Sequence, residues 1–136
     1  MTTSPGSLAS LLAALEKPGE RPPAAGAWVK LATRFLAPDE TVLLALEGNG
    51  FTWWDPLLLV TDRRVLHLRR GTVLPYRLIR EFPAHEVAGA EFRRRFLWGP
   101  VVVRTRGGDR TWIRSDGDDL AQRFVDGVNA LIAGRR

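Results

Sequence analysis

Apolar residues recur at helical spacing in the first forty residues of the chain. Within residues 7–16 the leucines stand at i, i+3, i+4 and i+7, which predicts a short amphipathic helix with one apolar face: Leu8, Leu11, Leu12 and Leu15. Residues 17–26 contain prolines and glycines that end this helix and have the composition of a linker. A second amphipathic helix is predicted over residues 27–37. The sequence leaves three alternatives for the leucine face of the first helix. It docks on the rest of the chain, docks on a second copy of the chain, or remains mobile.

The pattern then changes to that of β-strands, and residues 57–71 show it most clearly. An apolar run, Leu57-Leu-Leu-Val60, stops at Thr61-Asp62, whose side chains bond nearby backbone and favour a turn. Beyond the turn, Leu66 and Leu68 alternate with Val65, His67 and Arg69. This stretch predicts a β-hairpin with one apolar face and one mixed face.

Further strands are predicted over residues 41–47, 76–82, 87–97, 101–106 and 110–115, with a hairpin turn at Gly107-Gly108-Asp109. The chain ends with apolar residues at helical spacing from Leu120 to Leu131, preceded by Ser115 as a predicted N-cap. The expected fold is therefore mainly β. About seven antiparallel strands precede one C-terminal helix, which covers an opening in the sheet structure.

Length and composition limit the class of protein. The chain has 136 residues, enough for one domain with an ordinary core, and it contains no cysteine, which excludes disulfides, thiolate nucleophiles and cysteine-ligated metals. No apolar run reaches the roughly 20 residues of a membrane-spanning helix, and the N-terminus lacks the basic region of a signal peptide. We expect a cytoplasmic protein, with peripheral membrane association as an option.

The charge is unevenly distributed along the chain. Residues 63–114 contain 13 arginines against four acidic residues, although the whole chain has a net charge of only +5. Such a density of guanidinium groups attracts phosphates, acidic lipids or an acidic protein surface, or simply solvates one face of the protein.

Four segments together resemble the bacterial pleckstrin-homology-like (PH-like) domains, a resemblance that covers roughly residues 28 to 133. They are Ala37-Pro-Asp-Glu40, Leu59-Val-Thr-Asp-Arg-Arg-Val-Leu66, Phe82 to Phe92, and Val101 to Asp109. The resemblance implies a partly open barrel of two sheets with the C-terminal helix at one end, and a role in interaction or assembly. It divides the chain into an N-terminal helix and linker, residues 1–26, and a PH-like domain, residues 27–136.

The resemblance gives only weak support to phosphoinositide binding. Eukaryotic members often use basic residues on the first two strands and the loop between them, whereas residues 47–55 here contain no arginine or lysine. The related GRAM fold would give much the same sequence pattern.

Catalytic chemistry has little support in the sequence. His85-Glu86 stands between a proline and a strand start with no serine or cysteine nucleophile nearby, and His67 lies in a strand. The acidic residues Asp116, Asp118 and Asp119 lack calcium-loop spacing and are interpreted as helix-capping residues. We therefore expect no enzyme activity, metal, cofactor or small-molecule substrate.

Two surfaces are candidate binding sites. The first, called the arginine face below, combines basic residues and one tryptophan on the outer side of the last strands: Arg93, Arg95, Arg104, Arg106, Arg110, Trp112 and Arg114. Its partners rank as an acidic protein or a second copy of the chain first, an anionic membrane second, and nucleic acid third.

The second surface is an aromatic tip formed by Phe51, Trp53 and Trp54, just before the central hairpin. Strand geometry places Trp53 and Trp54 on opposite sides, so the three rings cannot all point inward. They either close the barrel end against Trp28 and Phe35, or form an exposed tip that enters a membrane interface or a partner's groove.

Overall fold

The structure is a computed structural model that describes residues 6–17, 19–21, 23, 25–48, 54–71, 75–94, 99–115 and 117–135. Two short helices come first, α1 (Gly6–Leu15) and α2 (Ala25–Phe35), and a longer helix, α3 (Asp118–Ala133), comes last. Between them lie seven strands: β1 (Val42–Glu47), β2 (Trp54–Thr61), β3 (Arg64–Gly71), β4 (Arg77–Pro83), β5 (Val87–Phe92), β6 (Pro100–Thr105) and β7 (Arg110–Arg114). A 3₁₀ turn, Ala84–Glu86, links β4 to β5.

The strands form two antiparallel sheets, which confirms the predicted fold class. One sheet has four strands in the order β1-β2-β3-β4, and the other has three in the order β5-β6-β7. An isolated antiparallel bridge between Gly48 and Ser115 joins the end of β1 to the end of β7, so the two sheets partly close on each other. A Cβ atom at Gly48 would collide with the carbonyl oxygen of Arg114, which is why glycine is required at this crossing.

The main hydrophobic core lies between the two sheets and α3. Alternate residues of the central hairpin contribute to it from the four-stranded sheet, including Leu58, Val60 and Val65. The three-stranded sheet contributes Val101, Val103 and Ile113, and α3 contributes Ala121, Phe124, Val125 and Val128. The apolar face of α3 predicted from its helical spacing is therefore the face that closes this core.

A second core lies on the opposite side of the four-stranded sheet. Helices α1 and α2 cover that side and pack on Leu57, Leu59, Leu66 and Leu68, each of which is 0% exposed. The leucine face of α1 is docked within its own chain, with Leu11 completely buried. Because both faces of β2 are covered, its residues 57–60 are continuously apolar instead of alternating.

An ion-pair network attaches the start of β1 to the turn between β2 and β3. Glu40 is 1% exposed, and its two carboxylate oxygens accept hydrogen bonds from Arg64 at 2.8 and 2.9 Å and from the Thr61 hydroxyl at 2.6 Å. Arg64 also donates to Glu81, while Asp39 pairs with Arg63 on the surface. Burial alone would raise the pKa of Glu40, but the hydrogen bonds from Arg64 and Thr61 outweigh it and lower that pKa to about 2.

These contacts explain the two motifs Ala37-Pro-Asp-Glu40 and Thr61-Asp-Arg-Arg64. The two acidic residues of the first motif meet the two arginines of the second, so the motifs form one structural unit although 21 residues separate Glu40 from Thr61. Their role in the described structure is to hold the fold together.

Several element boundaries differ from the prediction. Strand β5 ends at Phe92, whereas the sequence pattern predicted a strand to residue 97, and α2 begins and ends two residues earlier than predicted. Strand β2 begins at Trp54 and includes Pro56. Proline has no N–H to donate, but Pro56 lies opposite the end of β1, and its carbonyl still accepts a hydrogen bond from the amide of Gly48. The N-cap of α3 is Gly117, and the expected cap at Ser115 is wrong. The Ser115 side chain bonds the backbone of Gly117 while its own backbone bridges to Gly48, so Ser115 belongs to the end of the sheet.

Candidate functional site

The arginine face is created by the alternation of β6 and β7. Val101, Val103 and Ile113 point into the main core, so the intervening residues of these strands point outward. The outward residues Arg104, Arg110, Trp112 and Arg114 are all exposed, and none of the described elements packs over them. In the antiparallel register Arg104 stands opposite Arg110, so two arginines are direct neighbours on adjacent strands.

The centre of this face is apolar. Val102 points outward between Glu91 of β5 and Trp112 of β7, its direct register partners, and is nevertheless only 4% exposed. Trp112 is 52% exposed, the most exposed large hydrophobic residue of the described chain. The side chains beside Val102 therefore shield it, and one side of the indole ring remains accessible.

A single carboxylate interrupts the positive charge. One oxygen of Glu91, Oε1, accepts hydrogen bonds from Arg93 at 2.9 and 3.1 Å and lies 3.5 Å from the guanidinium of Arg104. These groups are 36–52% exposed, so the ion pairs are screened and contribute little to stability. Sequence alternation puts Glu91 on the same side of its strand as Arg93, but Glu91 was not predicted as a member of this surface, and its contact with Arg104 depends on the register between strands.

The remaining predicted members of the arginine face lie around its margin. Arg106 is exposed in the turn between β6 and β7, where Gly108 adopts a positive φ of 93°. Arg93 follows the end of β5, and the neighbouring Arg94 lies over the ring of Phe92. Arg95 lies outside the described residues.

The aromatic tip cannot be placed in the same way. Phe51 and Trp53 lie outside the described residues, and for Trp54 the structure describes the backbone that opens β2 and not the side chain. Of the rings suggested as partners for this tip, Trp28 stacks on Tyr76, with centroids 5.8 Å apart. The tip stays a prediction.

The two histidines lie in different surroundings. His67 points towards the three-stranded sheet, where its Nδ1 lies 2.6 Å from the hydroxyl of Thr111. Burial, together with the positive charges of Arg69 and Arg80, lowers the pKa of His67 to about 4. His85 and Glu86 are exposed in the 3₁₀ turn, and in the described part of the chain no group of three or more acidic, histidine or cysteine residues is arranged to hold a metal.

Two further observations bear on the site. No helix among the described residues combines the length and apolar character needed to cross a bilayer. Comparison with known proteins gives no family to which the chain can be assigned, since neither a protein-family model nor a curated protein matches the sequence.

Proposed function

We propose that the chain is a non-enzymatic, PH-like binding module that recognises an acidic protein surface through the arginine face. The observation that carries the proposal is the cluster of Arg104, Arg110 and Arg114 around Trp112 on a sheet face that no described element covers. The PH-like assignment is supported by a four-stranded and a three-stranded antiparallel sheet followed by a helix that closes the core.

The chemistry of the face favours carboxylates as ligands. A guanidinium group offers a planar pair of N–H donors that matches the two oxygens of a carboxylate. Arg106 and Arg110 form no ion pair with the described residues, so no internal carboxylate competes for them. Arginine and tryptophan are also the residues that most often dominate the binding energy of protein interfaces.

The same observations rank the other partners lower. Nucleic-acid surfaces that recognise single strands stack several bases on successive aromatic rings, whereas Trp112 is the one aromatic ring among the outward residues described on β6 and β7. Membrane binding favours apolar groups that reach the acyl chains, but here the accessible ring is flanked by arginines. Two arginine faces would repel each other, so self-association requires an acidic region of the second copy.

The proposal is tested with a double charge reversal, Arg104→Glu with Arg110→Glu. The control variant, Lys30→Glu with Arg34→Glu, changes the net charge by the same amount on α2, which lies on the other sheet. The probe is biotinylated poly-L-glutamate, with binding measured by interferometry at physiological salt. We expect the wild type and the control to bind and the arginine-face variant to lose at least about tenfold in affinity, since each reversal replaces an attraction by a repulsion and about 1.4 kcal/mol in total corresponds to tenfold.

Vesicle co-sedimentation and single-stranded DNA binding are measured with the same three proteins. Equal binding of poly-L-glutamate by both variants would contradict the proposal. Stronger binding of anionic vesicles or of DNA than of the polypeptide at physiological salt would also contradict it. Stronger vesicle binding would favour a membrane as the partner, and stronger DNA binding would favour a nucleic acid.

A further inference from the structure

The free edges of the two sheets differ in how they are protected. On β5, the side-chain amide of Asn129 forms two hydrogen bonds of 3.0 Å with the backbone N–H and C=O of Ala90, so α3 occupies that edge. On β4, a register shift beside Ile79 and the exposed Arg77 and Arg80 disfavour further strand pairing. The edge of β1 also has a register shift, at Leu43, but its regular part from Leu44 to Glu47 has no side-chain hydrogen bond to its backbone from the described residues and no exposed arginine.

The ends of the β1 edge are nevertheless occupied. At one end the amide of Val42 donates to the hydroxyl of Ser10 on α1 at 2.8 Å, and at the other Gly48 is bridged to Ser115. The amide of Gly48 donates to Pro56 on β2, so by antiparallel alternation Leu46 also points its backbone groups at β2. Ala45 and Glu47 consequently direct their backbone N–H and C=O groups away from the sheet, where no hydrogen bond to the described residues satisfies them.

These groups open into a groove of about 160 Å³, called the β1 groove below. Its floor is β1, one wall is the end of α1 with Glu16 and Lys17, and the other wall is α3 with Leu120 and Arg123. Leu43 is 40% exposed beside it, although it belongs to a strand that is otherwise largely covered. A strand edge with unpaired donors and acceptors, set between two helices, has the shape of a site for an extended peptide.

The charges of the β1 groove indicate one feature of its occupant. Lys17 already lies 3.8 Å from Glu47, which neutralises both groups at one end. Arg123 is exposed on α3, has no ion pair among the described residues and is the one charged residue that α3 contributes to the groove, since Asp118 and Asp119 of its first turn do not line it. Glu16 is the remaining exposed charge, on the opposite wall. The wall formed by α3 is therefore complementary to an acidic side chain.

We infer that the β1 groove binds an extended peptide segment with an acidic residue, which adds to β1 as a fifth strand and places its carboxylate at Arg123. The uncapped stretch in regular register runs from Leu44 to Glu47 and is four residues long, or about 14 Å at the usual rise of a strand. This site is separate from the arginine face, and its occupant is recognised mainly by backbone hydrogen bonds.

The experiment selects ligands from a phage library of random 12-residue peptides against the full chain at physiological salt. Enriched peptides are then synthesised, and their affinities are measured by fluorescence polarisation. We expect an acidic residue at one position among apolar residues that alternate with polar ones. Arg123→Glu weakens these peptides about tenfold and a repeat selection against it enriches a basic residue there, while Lys30→Glu, the control of equal charge change, has no effect.

The backbone contribution is tested at Ala45. Ala45→Pro removes an N–H that points away from β2 and lowers the affinity at least about fivefold, whereas Ala45→Gly keeps the N–H and binds as the wild type does. If Ala45→Pro fails to fold, amide exchange of the wild type gives the same information. The amides of Ala45 and Glu47 then exchange at least about tenfold more slowly in the complex, since strand pairing protects them.

Three results would overturn the inference. The first is a selection that enriches no peptide over the empty support. The second is a set of peptides whose affinity is unchanged in both Arg123→Glu and Ala45→Pro, or, where Ala45→Pro does not fold, unchanged in Arg123→Glu while the amides of Ala45 and Glu47 stay unprotected. The third is loss of binding in the Arg104→Glu/Arg110→Glu variant, which would place the peptides on the arginine face.

Discussion

The two sheets of this barrel share one core but differ on their outer faces. On β2, residues 57 and 59 face outward beneath α1 and α2 and are as completely buried as residues 58 and 60, which face inward. On β7, Thr111 and Ile113 are buried while Arg110, Trp112 and Arg114 remain exposed. The residue types at the outward positions of a strand therefore depend on what covers that face. They are leucines where a helix lies over the strand, and arginines where the face meets water or a polar partner.

This difference separates the parts of the molecule that supply stability from those available for binding. The second core, beneath α1 and α2, removes a large apolar area from water and should contribute substantially to folding. The arginine face buries one outward residue, Val102, and its ion pairs are largely solvated. Substitutions on the two outer faces should consequently differ in kind, with loss of stability on one and loss of binding on the other.

The largest effect is expected from Leu11→Ala. Leu11 is 0% exposed between α1 and the four-stranded sheet, so the truncation leaves a cavity and lowers the free energy of unfolding by about 2–5 kcal/mol. Urea denaturation followed by circular dichroism measures the change. The matched control is Leu12→Ala on the same helix, where the side chain is only partly buried and the loss should be less than half as large. Equal losses would show that α1 is not anchored by its buried face.

A somewhat smaller effect is expected from Glu40→Gln. The substitution leaves Arg64 partly buried without its main counter-charge and should lower the free energy of unfolding by about 3 kcal/mol at neutral pH. Asp39→Asn is the control, because it breaks an ion pair to Arg63 that is open to solvent, and its effect should be small.

The lowered pKa of Glu40 predicts that the stability difference between the wild type and Glu40→Gln depends on pH. The pKa of Glu40 in the folded state, about 2, lies below its ordinary value of 4.5, so its contribution is complete above pH 4.5 and is lost as the pH falls towards 2. The difference in stability between wild type and Glu40→Gln should therefore shrink over this interval. A difference that stays constant between pH 5 and pH 2.5 would contradict the assigned network.

The smallest effect on stability is expected from Trp112→Ala. The ring is 52% exposed and shields Val102, so its removal should cost about 1 kcal/mol or less of unfolding free energy. Binding of poly-L-glutamate should weaken in the same variant if the ring belongs to the interface. A loss of stability as large as that of Leu11→Ala would place Trp112 in the core and end the contrast between the two outer faces.

Much of the fold could be predicted from the sequence. The leucine spacing of α1, the Thr61-Asp62 turn and the Gly107-Gly108 turn each specify a local conformation through nearby residues, and the structure contains all three. Predictions were less accurate where distant residues decide the outcome. Ser115 resembles a helix cap in sequence, but the bridge to Gly48 makes it part of a sheet, and Pro56 resembles a strand boundary although its strand begins two residues earlier.

The candidate sites also differ in whether local residues or distant residues determine them. Alternation along β6 and β7 identified Arg104, Arg110, Trp112 and Arg114 as neighbours, because a strand places every second side chain on one face. Glu91 beside Arg104, and the β1 groove with α1 and α3 as walls, required the register between strands and the packing of helices separated by about a hundred residues.

By itself, the sequence determined which residues share a face, since the periods of helix and strand are local properties of the backbone. Tertiary structure alone decided which faces were covered. It placed two helices on the outer face of one sheet and none of the described elements over the outer face of the other, and it left the edge of β1 unpaired between Val42 and Gly48. Covering a face depends on the total apolar area that the chain can bury, and that sum includes contacts between residues far apart in sequence.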